Sequence, residues 1–202
     1  RAQLYGTNDD DLAQVKIKNA KHGLHNPNAR YRKEFTRESI VGSAMVSYPL
    51  RLFHICATSD GGAAMVIASM EYAKKLQKNP VRIAAISTVT PTYPSTTVEM
   101  PDIATDSGAH MQSDSFKFSI AKKAYEEAGI GPEDVSTAEV YDLSTSLELD
   151  WYEYLGLCEV GEAETLLRNG DTTIGGRIPV NPSGGLCCFG EAVPAQALAQ
   201  VC

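Results

Sequence analysis

Residues 178–197 read Ile-Pro-Val-Asn-Pro-Ser-Gly-Gly-Leu-Cys-Cys-Phe-Gly-Glu-Ala-Val-Pro-Ala-Gln-Ala and constrain the fold more than any other stretch. A short apolar run ends in Asn181-Pro182-Ser183-Gly184-Gly185, and a second apolar run, Leu186–Phe189, follows. Paired glycines allow positive φ or a very close backbone approach. The pattern predicts a strand over Ile178–Asn181, a glycine-rich bend and a buried strand. Gly190 then opens a helix at Glu191, with Pro194 in its first turn, where a missing N–H costs little. A helix start exposes free N–H groups to whatever lies in front of it. The same pattern also serves as an ordinary structural turn.

The rest of the chain predicts an α/β protein. Thr7 before Asn8-Asp9-Asp10-Asp11 marks a helix start, with carboxylates where the helix dipole favours them. Leu12, Val15 and Asn19 with Ile17 give a helical face that runs to about His22, and Gly23 ends the helix. The polar, basic segment Leu24–Lys33 is a loop. Thr36 caps a short helix, Arg37–Ser43, and Met45–Leu52 is extended. The continuous apolar run Ala63–Ala68 and the β-branched run Val81–Thr90 predict strands, with a helix Met70–Gln77 between them. Pro91–Ala109 lacks periodicity and predicts a long loop of the kind used as a lid or binding segment. Ser115–Ala128 is an amphipathic helix closed by Gly129. Ala138–Leu143 is a short strand; Thr145–Leu155 and Glu162–Leu167 are helices. This alternation predicts layering of helices on a sheet.

Among 202 residues the formal net charge is −7, which argues against general nucleic-acid binding. No apolar run is long enough to span a bilayer. The five cysteines, Cys56, Cys158, Cys187, Cys188 and Cys202, have no metal-ligand spacing, and reduced thiols in a cytoplasm are expected. Cys187 and Cys188 have no basic neighbour in sequence and read as core. The chain has no initiator Met, and its final helical pattern stops without a cap, so it is expected to be part of a longer protein.

Asn181–Gly190 resembles the Asn-Pro-Ser-Gly-Gly…Gly-His-Pro segment of thiolases, most closely the sterol-carrier-protein-X type. Tyr5-Gly-Thr, Leu24-His-Asn-Pro27, Tyr31-Arg-Lys-Glu34, Pro49-Leu-Arg-Leu52, Ser59-Asp-Gly61 and Tyr125–Asp134 resemble the same family, in the same order. The resemblance implies a partial thiolase-like α/β/α fold. Residues 1–58 would be a loop-domain segment over a coenzyme A site, and 59–202 the C-terminal half, truncated at its end. Acyl-CoA would be the substrate, with no tightly bound cofactor and no metal. His25, Arg30, Cys56, Ser59, Ser183, Gly184 and Gly185 would contact coenzyme A or the acyl chain. A homodimer and a small accessory subunit are the implied partners, with no nucleic acid.

The departures from the family pattern bear on chemistry. Glu139-Val-Tyr-Asp-Leu-Ser144 aligns with His-Asp-Cys-Phe or Asn-Glu-Ala-Phe, which places Tyr141 at the His/Asn position. Glu191 stands where thiolases have the histidine of Gly-His-Pro. Both replaced residues help to stabilise a thioester enolate, which needs donors aimed at the oxyanion. Their loss argues against ordinary Claisen chemistry. Three functions stay open. One is retro-aldol cleavage of a steroid-like β-hydroxyacyl-CoA, as in the lipid-transfer-protein aldolases of actinobacterial steroid degradation. There Tyr141 would act as acid or base if its pKa were lowered, with Glu191 assisting. The second is a 3-ketoacyl-CoA thiolase, and the third a non-catalytic acyl-CoA-binding subunit. Against these stand plainer roles: Tyr141 as an amphipathic core residue, Glu191 as a helix-end charge, Cys56 as a small buried side chain.

Overall fold

In the computed structural model residues 1–76, 79–89 and 116–202 are described. Helix α1 (Ala2–Tyr5) is one turn. Helix α2 (Asp9–Gly23) is the hub of the molecule. Asn8, not Thr7, is its cap. The Asn8 side chain accepts from the Asp10 and Asp11 N–H groups, and the Asp11 carboxylate accepts from Asn8 N–H at 3.0 Å. This reciprocal box satisfies the donors a helix start leaves open. Thr36 caps α3 (Arg37–Val41) in the same way, as expected. The extended stretch after it forms an antiparallel hairpin, β1 (Met45–Ser47) with β2 (Leu50–Arg51), followed by a 3-10 turn, Leu52–His54. Helices α4 (Met70–Leu76) and α5 (Phe116–Ala128) come next, α5 ended by Gly129 at φ 71. They are followed by α6 (Thr145–Tyr154), α7 (Ala163–Arg168), α8 (Gly185–Cys188) and α9 (Ala195–Val201). Among the described residues no helix is long and apolar enough to cross a membrane.

Two apolar clusters meet on α2. One joins Leu12 and Val15 to Leu149 and Tyr152 of α6, Leu166 and Leu167 of α7, and Ile178 and Val180. The other joins Ala13 and Ala20 to Phe35, Ile40, Cys187 and Cys188. The burial of Cys187 and Cys188 agrees with their reading as core, but their conformation does not. Leu186–Phe189 is not a strand: α8 and its cap occupy it, because a four-residue apolar run fits a buried helical turn as well as a buried strand.

Four further strand predictions are corrected. Residues 63–68 and the described residues 81–89 form no strand, and Val66 and Val81 are 96% and 95% exposed. A strand needs a neighbour to take up its N–H and C=O groups, and none of the described residues supplies one there. Ala138–Leu143 and Ile178–Asn181 contribute a single parallel bridge, Ala138 to Val180. The long loop expected at Pro91–Ala109 lies outside the described residues.

Burial on α2 extends beyond the expected face of Leu12, Val15, Ile17 and Asn19. Lys16, Lys18, Asn19 and His22 are all buried. A buried charge is tolerated only when paired and hydrogen-bonded. Lys18 Nζ meets Glu148 of α6 at 2.7 Å and donates to the Val180 carbonyl at 2.8 Å. Lys16 donates to the Cys187 carbonyl and sits over the Tyr31 and Phe35 rings, 4.9 and 4.6 Å from their centroids. His22 bridges the Asn181 carbonyl through Nδ1 and the Ile174 N–H through Nε2, each at 3.0 Å. One helix therefore fixes the residues around the glycine bend.

Candidate active site

The bend has the strained backbone its glycines permit. Asn181, Gly184 and Gly185 have φ of 55, 105 and 59. A Cβ on Gly184 would stand 2.9 Å from Gly23 Cα; one on Gly185 would stand 2.5 Å from an Asp142 carboxylate oxygen. Only glycine fits where α2 and residue 142 come this close.

Two side chains couple the bend to residues 140–142. Asn181 Oδ1 accepts from the Val140 N–H at 2.8 Å, and its Nδ2 donates to Glu148 at 2.8 Å. The Asp142 carboxylate accepts from the Leu186 N–H at 2.6 Å, the Cys187 N–H at 3.3 Å and Asn19 Nδ2 at 3.1 Å. Burial raises the Asp142 pKa, and the nearby Glu148 charge raises it further. The Trp151 indole N–H donates to the Tyr141 carbonyl at 3.1 Å. Tyr141 is thus held through its own carbonyl and through its chain neighbours Val140 and Asp142, and it is 39% exposed.

Glu191 arrives from the other direction. It does not open a helix. It pairs in parallel with Thr58: its N–H donates to Ala57 O at 2.9 Å, and Ser59 N–H donates to Glu191 O at 3.2 Å. The helix starts later, with Pro194 at the cap of α9. This bridge brings Glu191 under the tyrosine, and the Tyr141 hydroxyl donates to Glu191 Oε1 at 2.5 Å. Cys56, tied by its N–H to the Leu143 carbonyl at 2.9 Å, presents its thiol to the same carboxylate.

Tyr141, Glu191 and Cys56 therefore form one cluster, and its electrostatics run against one expectation. Tyr141 is pushed up to about 12, first by desolvation and then by the Glu191 hydrogen bond and charge. The lowered tyrosine pKa expected for an acid–base role is not what this environment produces, because the neighbour is an acceptor and not a cation. Cys56 is likewise pushed up to about 12 by desolvation and Glu191. Burial also raises Cys158, Cys187 and Cys188.

An open cleft of about 930 Å³ lies next to the Thr58–Glu191 bridge, but Tyr141, Glu191 and Cys56 are not among the residues that line it. Thr58, Gly190 and Ala192, the neighbours of Glu191 in the bridge and along the chain, line it. Arg30 and Ser59 line it too, and Arg30 is the only cation among the described lining residues. The other residues singled out in the sequence lie elsewhere. His25 is exposed and does not line the cleft. Ser183 donates through both its N–H and its hydroxyl to Glu139, at 2.7 and 2.8 Å. Gly184 and Gly185 are buried against Gly23 and Asp142. These three shape the bend. Among the described residues no group of three or more His, Cys, Asp or Glu could hold a metal ion.

Comparison with known proteins agrees with this architecture. The chain is 38% identical to the benzoylsuccinyl-CoA thiolase subunit BbsB of Thauera aromatica over 207 residues, covering 100% of this chain and 51% of that protein. It is 38% identical to sterol carrier protein 2 of Rattus norvegicus over 200 residues, 98% of this chain and 35% of that one. The solved structure of an Ltp2-ChsH2(DUF35) aldolase superimposes with a TM-score of 0.76 at 26% identity, over 99% of this chain and 50% of that chain. The chain thus spans about half the length of the first and third of these proteins, and about a third of the second. Residues 97–202, which carry Tyr141, the glycine bend and Glu191, match the thiolase C-terminal domain-like family, and the chain belongs to that family within the thiolase superfamily.

Proposed function

We propose that this protein cleaves a carbon–carbon bond of a β-hydroxyacyl-CoA by a retro-aldol reaction. The observation that carries the reading is the 2.5 Å hydrogen bond from the Tyr141 hydroxyl to Glu191, at two positions where thiolases keep their oxyanion residues. A retro-aldol step removes the β-hydroxyl proton and converts that C–O to C=O. The electron pair of the Cα–Cβ bond moves to Cα, and the resulting thioester enolate is protonated there. One group must take a proton and another must give one.

The pair divides these tasks. A phenol held protonated, with its pKa near 12, is the donor, because a thioester enolate carbon is far more basic than a phenolate. The Glu191 carboxyl is the acceptor for the β-hydroxyl proton. Transfer back along the Glu191–Tyr141 hydrogen bond then restores both groups, so the cycle balances. The raised pKa keeps the phenol protonated, so the proton it must deliver is in place, and no cysteine nucleophile is needed. The cleft beside the cluster, with Arg30 on its wall, suits the phosphate-bearing portion of a coenzyme A thioester.

The thiolase reading rests on the 38% identity to a thiolase subunit. It requires an activated thiol, a part that Cys56, Cys158, Cys187 and Cys188, all shifted the opposite way, do not suit, so the reading turns on a thiol other than these four. A non-catalytic acyl-CoA carrier is the third possibility. Because BbsB is a thiolase subunit and the Ltp2-ChsH2(DUF35) aldolase carries a two-part name, assays of the intact protein should include a candidate partner subunit. The test incubates the protein with a β-hydroxyacyl-CoA bearing a bulky acyl chain and follows release of the shorter acyl-CoA and the carbonyl product. Cleavage without added coenzyme A is expected. Thiolysis of a 3-ketoacyl-CoA with negligible aldol cleavage would overturn the reading, and so would binding without turnover.

A further inference from the structure

Tyr141 carries the proposed acid, yet no regular structure holds its backbone. Residues 139–142 lie between the Ala138–Val180 and Ile55–Ser144 bridges and belong to no strand or helix. Backbone groups in such a segment are satisfied by side chains in place of a ladder. On one side of Tyr141, Asn181 accepts from the Val140 N–H; on the other, the Asp142 carboxylate accepts from the Leu186 N–H. Both contacts act one residue away. The contact on Tyr141 itself comes from Trp151, whose indole N–H donates to the Tyr141 carbonyl at 3.1 Å.

The indole is itself fixed. Trp151 belongs to α6, whose Leu149 and Tyr152 are buried in the core and whose Glu148 pairs with Lys18. Its ring meets Tyr154 edge to face, with centroids 5.6 Å apart and planes at 87°. Tyr154 meets Phe118 of α5 in the same way at 5.0 Å. Edge-to-face contacts fix the direction of a ring as well as burying it. A rigid helix therefore offers one N–H to the backbone of the residue that must deliver a proton. The Tyr141 hydroxyl lies 2.5 Å from Glu191, so little displacement is tolerated. A misplacement of about 1 Å can cost about 100-fold in rate.

We infer that Trp151 is a positioning residue, whose indole N–H holds the Tyr141 backbone where the tyrosine hydroxyl reaches Glu191. This rests on the retro-aldol reading above and adds to it a residue that acts through Tyr141.

The test measures kcat and KM for aldol cleavage of a β-hydroxyacyl-CoA by the intact protein, with a candidate partner subunit present. Trp151→Phe keeps an aromatic ring against Tyr154 and removes the N–H. It should lower kcat about 5- to 100-fold, between the loss of one neutral hydrogen bond and a full misplacement, with KM within about 2-fold of the parent. In the Tyr141→Phe background the same substitution should cost less than about 2-fold, because nothing is left to position. Losses that add in the double variant refute the assignment, since Trp151 then serves packing alone. Benzothienylalanine at position 151 keeps the bicyclic ring and lacks the N–H; it should melt with the parent and lose kcat as Trp151→Phe does. Parent kcat with that residue refutes the assignment, and it decides the matter if Trp151→Phe fails to fold. A parent protein that cleaves no β-hydroxyacyl-CoA removes the retro-aldol reading, and the assignment with it. Parent rates in both position-151 variants remove the assignment alone.

Discussion

Gly185→Ala should be among the most damaging single substitutions in the chain. Residue 185 has φ 59, and placing an alanine there costs about 1 kcal/mol. The larger effect is steric. The new methyl would lie 2.5 and 2.7 Å from the two Asp142 carboxylate oxygens and 2.8 Å from Asn181 Nδ2. Asp142 is fully buried and accepts from Leu186, Cys187 and Asn19, so moving it aside strains or breaks at least one charge-assisted hydrogen bond, at about 1.5–3 kcal/mol. The sum is about 2.5–4 kcal/mol, which for a chain of this size lowers Tm by roughly 10 °C. Gly62→Ala is the control, because nothing lies within 4 Å of its Cβ and its φ is ordinary. Thermal melts followed by circular dichroism on both variants of the intact protein decide the matter. If Gly185→Ala melts within about 2 °C of Gly62→Ala, the close approach of the glycine bend to Asp142 is wrong.

The other predictions concern the surrounding groups. Lys18→Met leaves Glu148 buried without its cation and should cost about 3–5 kcal/mol by urea denaturation; a loss under 1 kcal/mol would mean that the Lys18–Glu148 pair does not hold α2 to α6. The His22 pKa is lowered from 6.5 by burial and by the Lys18 charge, so its folded value lies below its unfolded one. Its stabilising contribution is complete above pH 6.5 and is lost as pH falls through the folded value. By NMR the His22 ring should stay neutral at pH 6.5, and a midpoint at or above 6.5 contradicts the bridge to Asn181 and Ile174. With its thiol near 12, Cys56 should alkylate with iodoacetamide at pH 8 more than about 100-fold slower than the exposed Cys202; comparable rates would remove Glu191 from its side.

Local signals in the sequence carried much of the helical framework. The Thr36 cap, the Gly129 stop and the amphipathic periods before α5 and α6 each act within a few residues, so a short window contains their cause. The strands failed for a different reason. Val66 and Val81 belong to apolar runs that read as buried strands only if a neighbour covers them, and a run says nothing about its neighbour. Leu186–Phe189 is too short for periodicity to separate helix from strand. The buried polar network was invisible because its members are distant: Asn19 meets Asp142 and Glu148, and Lys18 meets Glu148, across more than a hundred residues. The one available signal was four polar residues, Lys16, Lys18, Asn19 and His22, within a helix whose apolar face is narrow.

The site was legible only through departures from a family pattern. Tyr141 and Glu191 were noticed because each replaces a residue with a known task. Their direct hydrogen bond was not foreseen, because Glu191 was expected to open a helix and instead pairs with Thr58. The direction of the tyrosine shift was missed for the same reason: without the carboxylate beside it, burial and charge could not be weighed.

The central claim is that the Tyr141 hydroxyl protonates the enolate and Glu191 takes the substrate proton. Tyr141→Phe removes only one oxygen from a ring that is 39% exposed, so thermal stability and acyl-CoA affinity should stay close to the parent. The decisive measurement is kcat for aldol cleavage of a β-hydroxyacyl-CoA by the intact protein and its Tyr141→Phe variant, both assayed with the same candidate partner subunit. The account predicts a fall of about 100- to 10,000-fold with little change in KM. Cleavage by Tyr141→Phe at the parent rate would contradict it.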